Sequence, residues 1–161
     1  MSCAGTTKIK RQQQKGDYAL EKDQKVENDK KKKYLWGYLD ACKRLAVLEE
    51  QLKSIRQVEA SAKTQKLSDM PKGGGHQTDL SDLIVRIENW QRKIDEAKVN
   101  AMSIKVDIET KIAEMSDPDE QNVLQLRYIK DKKWTKIAET MHCHISTVHR
   151  IHGNALKNIK I

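Results

Sequence analysis

Apolar residues return at steps of three and four along most of this chain, and the places where that rhythm starts and stops divide it into four segments. Residues 34–67 carry Leu35, Tyr38, Ala41, Cys42, Leu45, Leu48, Leu52, Ile55, Val58 and Ala62, a single stripe on a helix. Lys43, Arg44, Glu49, Glu50, Lys53 and Arg56 fall outside that stripe. Residues 79–115 are more regular. Leu80, Ile87, Ile94, Ala101, Ile108 and Met115 lie seven apart, and Leu83, Trp90, Ala97 and Ile104 follow the first four by three. This is the a/d seam of a heptad helix, about 55 Å long at about 1.5 Å per residue.

A seam of that length has to be covered. Pro71, Gly73, Gly74 and Gly75 break the pattern over residues 68–79 and predict a Gly-rich loop. The first helix is therefore expected to fold back antiparallel over the second. The second helix is predicted to be the longer one, which leaves seam for another chain and predicts a homodimer or higher homo-oligomer. The triple glycine is not read as a phosphate cradle, because no strand precedes it and no Gly-Lys-Ser/Thr follows.

The N-terminal residues 1–33 have almost no apolar periodicity. They hold Gln12, Gln13, Gln14 and the run Lys30, Lys31, Lys32 and Lys33. Too little apolar surface is present to offset the entropy of ordering, so a basic, disordered or frayed segment is expected.

Residues 116–161 form the last predicted domain. Asp117 is a helix cap, Pro118 suits the first helical position, and Glu120 stands where a capping-box acid belongs. A helix then runs through Val123, Leu124, Leu126, Arg127, Tyr128 and Ile129, and Asp131, Lys132 and Lys133 interrupt it. A second short helix presents Trp134, Ile137, Ala138 and Met141 on one face. His142, Cys143 and His144 make a turn, and a third helix carries Val148, Ile151, Ala155, Leu156 and Ile159 inside. Two short helices crossing steeply need a small residue where they touch, which Ala138 supplies. The outer face of the last helix, residues 145–159, is then free to enter a major groove, led by its first turn. Ile145, Ser146, Thr147, His149 and Arg150 are the residues expected to be exposed there, with Lys133, Thr135, Lys136 and His144 beside them as further DNA-binding candidates, Lys133 and Lys136 as phosphate contacts. Arg150 suits bidentate reading of guanine, and Ile145 suits contact with a thymine methyl.

The run Leu126-Arg127-Tyr128-Ile129, then Trp134-Thr135-Lys136-Ile137-Ala138-Glu139, Val148-His149-Arg150-Ile151-His152 and Ala155-Leu156-Lys157 resembles the C-terminal helix-turn-helix of sigma factors, their region 4 module. That family binds a promoter element in double-stranded DNA. A helical hairpin with a Gly-rich loop before such a module is similar to small phage regulators of the RinA and ArpU type from Gram-positive hosts. The resemblance implies a phage or prophage activator of late genes, working in the cytoplasm of a bacterial host on DNA and with host RNA polymerase. Two positions depart from the sigma pattern. His144 stands where a Ser-like cap is usual, and His142 where the turn usually has Gly. No sigma core-binding region is recognisable, so a complete sigma factor is not expected.

Charge and composition narrow the picture. Net charge is +8, with ten Lys/Arg against five Asp/Glu in residues 1–33, thirteen of each in 34–116, and eight against five in 117–161. Both ends are basic around a neutral middle, and basic ends hold phosphate and release counterions. No apolar run reaches the length of a membrane span or a secretory signal, so neither membrane nor export is expected. Three widely spaced cysteines, Cys3, Cys42 and Cys143, read as free thiols in a reducing compartment.

His142, Cys143, His144, His149 and His152 crowd into eleven residues. They invite a zinc reading, yet Cys143 is assigned to the core and the spacing is not that of a paired metal motif. Trp90 and Trp134 are expected to pack. The role of Trp36 is open, and Tyr34, Trp36 and Tyr38 lie beside four lysines, where bases could stack. No acid/base pair or nucleophile constellation stands out, so neither an enzyme nor a cofactor is expected. The expectation is an all-α chain, with a long antiparallel, coiled-coil-like helical hairpin (34–115) leading into a sigma region 4-like helix-turn-helix. The function it implies is sequence-specific regulation of transcription. The alternative is a coiled-coil interaction protein, such as a polymerase adaptor or a DNA-packaging factor of the small-terminase kind.

Overall fold

The computed structural model describes residues 4–65 and 80–161, with side chains described over 23–61 and 82–161. The chain is all-α: helices and no strands occur among the described residues. They are α1 (Ala4–Gln65), α2 (Leu80–Ala113), α3 (Pro118–Leu124) running on into a π-helical turn (Gln125–Ile129), α4 (Trp134–Thr140) and α5 (Ile145–Asn158). No described helix is long and apolar enough to cross a membrane.

Three expectations change. The segment 1–33, expected to be disordered or frayed, is helical from Ala4 onwards. The costly step in a helix is its first turn, and extending one already held by packing is nearly neutral per residue. The packing that holds this end is visible at Lys31 and Leu35, both buried. As a result α1, at 62 residues, is longer than α2, at 34. The length argument for a second chain over the seam therefore falls away. The expected Gly-rich loop 68–79 lies outside the described residues.

The chain divides into two compact units, one made of Tyr38–Asp107 and the other of the residues up to Gly37 together with Ile108–Ile161. The expected boundaries at residues 34 and 116 are thus displaced. The C-terminal module is completed by turns of α1 and α2 that the periodicity assigned to the hairpin.

Within the unit Tyr38–Asp107, α1 and α2 run antiparallel. Arg56 Nη2 donates to Gln91 Oε1 at 3.2 Å, and Lys98 Nζ pairs with Glu49 at 3.4 Å. Seven residues up α1 therefore correspond to seven residues down α2, which is heptad register. Ala41, Leu52, Leu83, Ile94 and Ala101 are buried along the seam, while Ile87, Trp90, Ala97 and Ile104 are half-buried. Two helices cover one stripe of each other and no more, so Val85, Val99, Met102 and Val106 remain exposed on α2.

Candidate nucleic-acid interface

The C-terminal unit is built outward from a core of Val123, Ile137, Ala138 and Val148, with Leu126, Trp134, Met141, Cys143, Ile145 and Ile151 packed against it. Leu124, Tyr128, Ala155, Leu156 and Ile159 are buried as well, and so are Leu35 of α1 and Ile108 and Ile112 of α2. Each fully buried Leu or Ile contributes on the order of 1.5–3 kcal/mol, which is what fixes short helices that would not persist alone.

Asp117 caps α3 as its sequence position predicts, accepting from the Asp119 and Glu120 backbone N–H groups at 2.8 and 3.4 Å. Glu120 does not complete a capping box. Its carboxylate is buried and accepts from Asn158 Nδ2 at 3.0 and 2.9 Å, tying the start of α3 to the end of α5.

Beyond α3 the helix widens. Lys130 N–H donates to Gln125 O at 3.0 Å and Lys132 N–H to Leu126 O at 2.9 Å, reaching one and two residues further back than in an α-helix. The widened turn aims Arg127 between two indoles. Its guanidinium carbon lies 4.9 Å from the Trp36 ring centre and 4.8 Å from that of Trp134. Arg127 Nη1 also donates to Lys132 O at 2.9 Å. Stacking of this kind is worth about 0.5–2 kcal/mol per ring, rising with desolvation. Trp36, whose role the sequence left open, thus packs against the C-terminal unit. It also meets Tyr128 edge-on at 5.2 Å.

Tyr128 and His152 form a buried pair, Oη to Nε2 at 2.9 Å, with the rings stacked at 5.8 Å. Burial is the main reason the Tyr128 hydroxyl is pushed up to about 12, against a smaller opposing pull from Arg127. Burial likewise pushes His152 down to about 4, helped by the positive charges of Lys32, His149 and Arg127. His152 is therefore neutral near pH 7.

The corner between α4 and α5 uses two histidines. His142 has φ 51°, the left-handed conformation that glycine adopts most easily. His144 is the cap of α5: Nδ1 accepts from the Ser146 backbone N–H at 3.3 Å and lies 2.8 Å from Ser146 Oγ. Cys143 N–H donates to Ala138 O at 3.1 Å, at the close approach that the small Ala138 permits. His142 thus serves the corner through its backbone conformation and His144 through its ring.

The other expected site residues divide as follows. Ser146, His149 and Arg150 are exposed on α5, and Lys133, Thr135 and Lys136 are exposed at the start of α4. Lys136 pairs with Glu139 at 2.7 Å, and that hydrogen bond and charge raise the lysine above its usual range. Ile145 and Thr147 are half-buried, and Ile145 packs on the core, so neither stands free as expected. Gly153 went unnoticed in the sequence. It lies one turn beyond His149 on the outward side of α5, and a Cβ there would meet no atom within 4 Å. An isolated glycine inside a helical pattern is the signal that marks it. Of the histidine and cysteine cluster, His144 caps, His152 pairs with Tyr128 and His149 lies 4.7 Å from the Trp134 ring. No group of three or more His, Cys, Asp or Glu able to hold a metal occurs among the described residues.

What the geometry offers is a capped helix, α5, with Ser146, His149 and Arg150 exposed on it and Lys133, Thr135 and Lys136 exposed at the start of α4. A family model described as a protein of unknown function, DUF1492, matches residues 60–160. That is more than half of the chain, and the chain belongs to this family. The match takes in α2 to α5 and leaves Trp36, Lys31 and Leu35 of α1 outside it. No curated protein and no solved structure matches.

Proposed function

We propose that this protein is a sequence-specific, double-stranded DNA-binding regulator of transcription. In this reading α1 and α2 form a helical hairpin, and residues 116–161 act as a helix-turn-helix of the sigma region 4 kind, with α5 in the major groove. One observation carries it. The inner face of α5 is locked by Val148, His152, Ala155 and Leu156, while Ser146, His149 and Arg150 stand exposed beside its capped start. A helix presented in this way fits a B-DNA major groove, which is about 12 Å wide. Lys133, Thr135 and Lys136 supply flanking phosphate contacts.

A role in late phage gene activation, with host RNA polymerase as a second partner, rests on the sequence resemblance to RinA- and ArpU-type regulators. Self-association rests on the exposed row Val85, Val99, Met102 and Val106. A light-scattering mass of one chain at micromolar concentration counts against it.

The decisive experiment is a gel shift against fragments of the cognate genome over a salt series. A few fragments should be retained, with affinity falling steeply with salt while the preference persists. Uniform weak binding to all fragments would refute the reading and favour an interaction protein.

A further inference from the structure

We propose that α1 is itself part of the DNA interface, gripping the phosphate backbone through Lys25 and Lys32. The inference rests on the DNA-binding reading above and extends it to a helix outside the helix-turn-helix.

The argument starts from a continuous row of rings. Trp36 of α1 lies on Arg127, Arg127 lies on Trp134 at the first position of α4, and Trp134 lies 4.7 Å from His149 of α5. The face of α1 that carries Trp36 therefore borders the same side of the unit as Lys133 and His149. Lys32 precedes Trp36 by four residues and Lys25 by eleven, so all three share that face at about 100° of rotation per residue.

Both lysines are available. Lys25 is exposed, and Lys32 keeps 42% of its side chain accessible while pairing with Asp29 at 3.2 Å. Exposed pairs of this kind are weak, and a phosphate oxygen readily displaces them. Lys32 also acts on the module itself, being one of the positive charges that disfavour protonation of His152.

Lys32, Arg127 and Lys133 thus gather positive charge from α1, the π turn and α4 along one side, next to the His149 ring of α5. Like charges brought together from different elements repel, and a polyanion running past them removes that repulsion. The evenly spaced charges of a DNA strand suit such a row. A compact acidic protein surface is the competing partner.

The test measures the salt slope of binding to a retained fragment, for the full chain and for the double variant Lys25→Gln and Lys32→Gln. Glutamine keeps the helix-forming stem, and circular dichroism verifies the fold. Each phosphate contact adds about 0.9 to the slope of log affinity against log salt, so the double variant should lose about 2 and Lys32→Gln alone about 1. The ranking of fragments should not change, because phosphate contacts carry no base information. Lys53→Gln, on the other compact unit, should leave the slope as it was. If the parent chain binds selectively and the double variant keeps its slope, the inference is overturned and the DNA-binding reading stands. If the parent chain shows no selective binding, both fall.

Discussion

Replacing Gly153 by alanine should make this protein more stable and a worse DNA binder. The residue is inside the 14-residue helix α5, one turn after His149 and one before Lys157 on the outward side. Glycine inside a helix costs about 1 kcal/mol relative to alanine, because the unfolded chain has more freedom to lose. Nothing in the folded chain requires the omission, since a methyl group would meet no atom within 4 Å. Gly153→Ala should therefore gain about 1 kcal/mol. For a chain of this size that raises the melting temperature by about 2–4 °C. What the missing methyl permits is a closer approach of something outside the chain, which in the proposed docking is a DNA strand. A methyl group forced into a fitted contact costs about 1–3 kcal/mol, which is on the order of 5- to 150-fold in affinity. Thermal melts and gel shifts on the same preparations read both effects. A stabilised variant that binds the selected fragment as tightly as its parent would refute this placement of α5 against DNA.

The pH dependence of stability should follow His152. Its pKa of about 4 is below its ordinary 6.5, so its contribution is full above about pH 6.5 and is lost as pH falls towards 4. The loss amounts to roughly 3 kcal/mol at most, visible as a falling urea midpoint, and a flat profile over that window would contradict the burial of a neutral ring. His144→Ala removes the cap of α5 and should cost about 0.5–2 kcal/mol, whereas His144→Asn should restore most of it; equal loss in both variants would show that capping is not the role. Arg150→Ala should weaken specific binding by about 1–3 kcal/mol and relax the choice of one base, while Lys133→Ala or Lys136→Ala should weaken all fragments alike. An unchanged footprint and affinity for Arg150→Ala would place the recognition face elsewhere.

What the sequence determined by itself is everything that repeats within a turn or two. The heptads of 79–115 marked α2 to within two residues at each end, the Asp117-Pro118 pair marked the start of α3, and the inward row Val148, Ile151, Ala155, Leu156 and Ile159 left Ser146, His149 and Arg150 outside. Such signals are legible because helical neighbours lie three and four residues apart, so burial on one face is written into local spacing. Contacts between distant residues have no such imprint. Trp36 with Tyr128, Lys31 Nζ with the Lys157 carbonyl at 3.3 Å, and Glu120 with Asn158 each join positions whose meeting depends on the path of the whole chain. The same holds for the widened turn that carries Arg127 between two indoles, and for His152, which the sequence left within a His/Cys cluster lacking metal-motif spacing and packing made the neutral partner of Tyr128. The extent of α1 was misjudged for a related reason. Residues 1–33 lack an apolar stripe of their own, yet their last turns are held by a C-terminal unit more than a hundred residues away in sequence, as at Lys31 and Lys157. Periodicity says which face of a helix is buried, and only the tertiary structure decides what buries it.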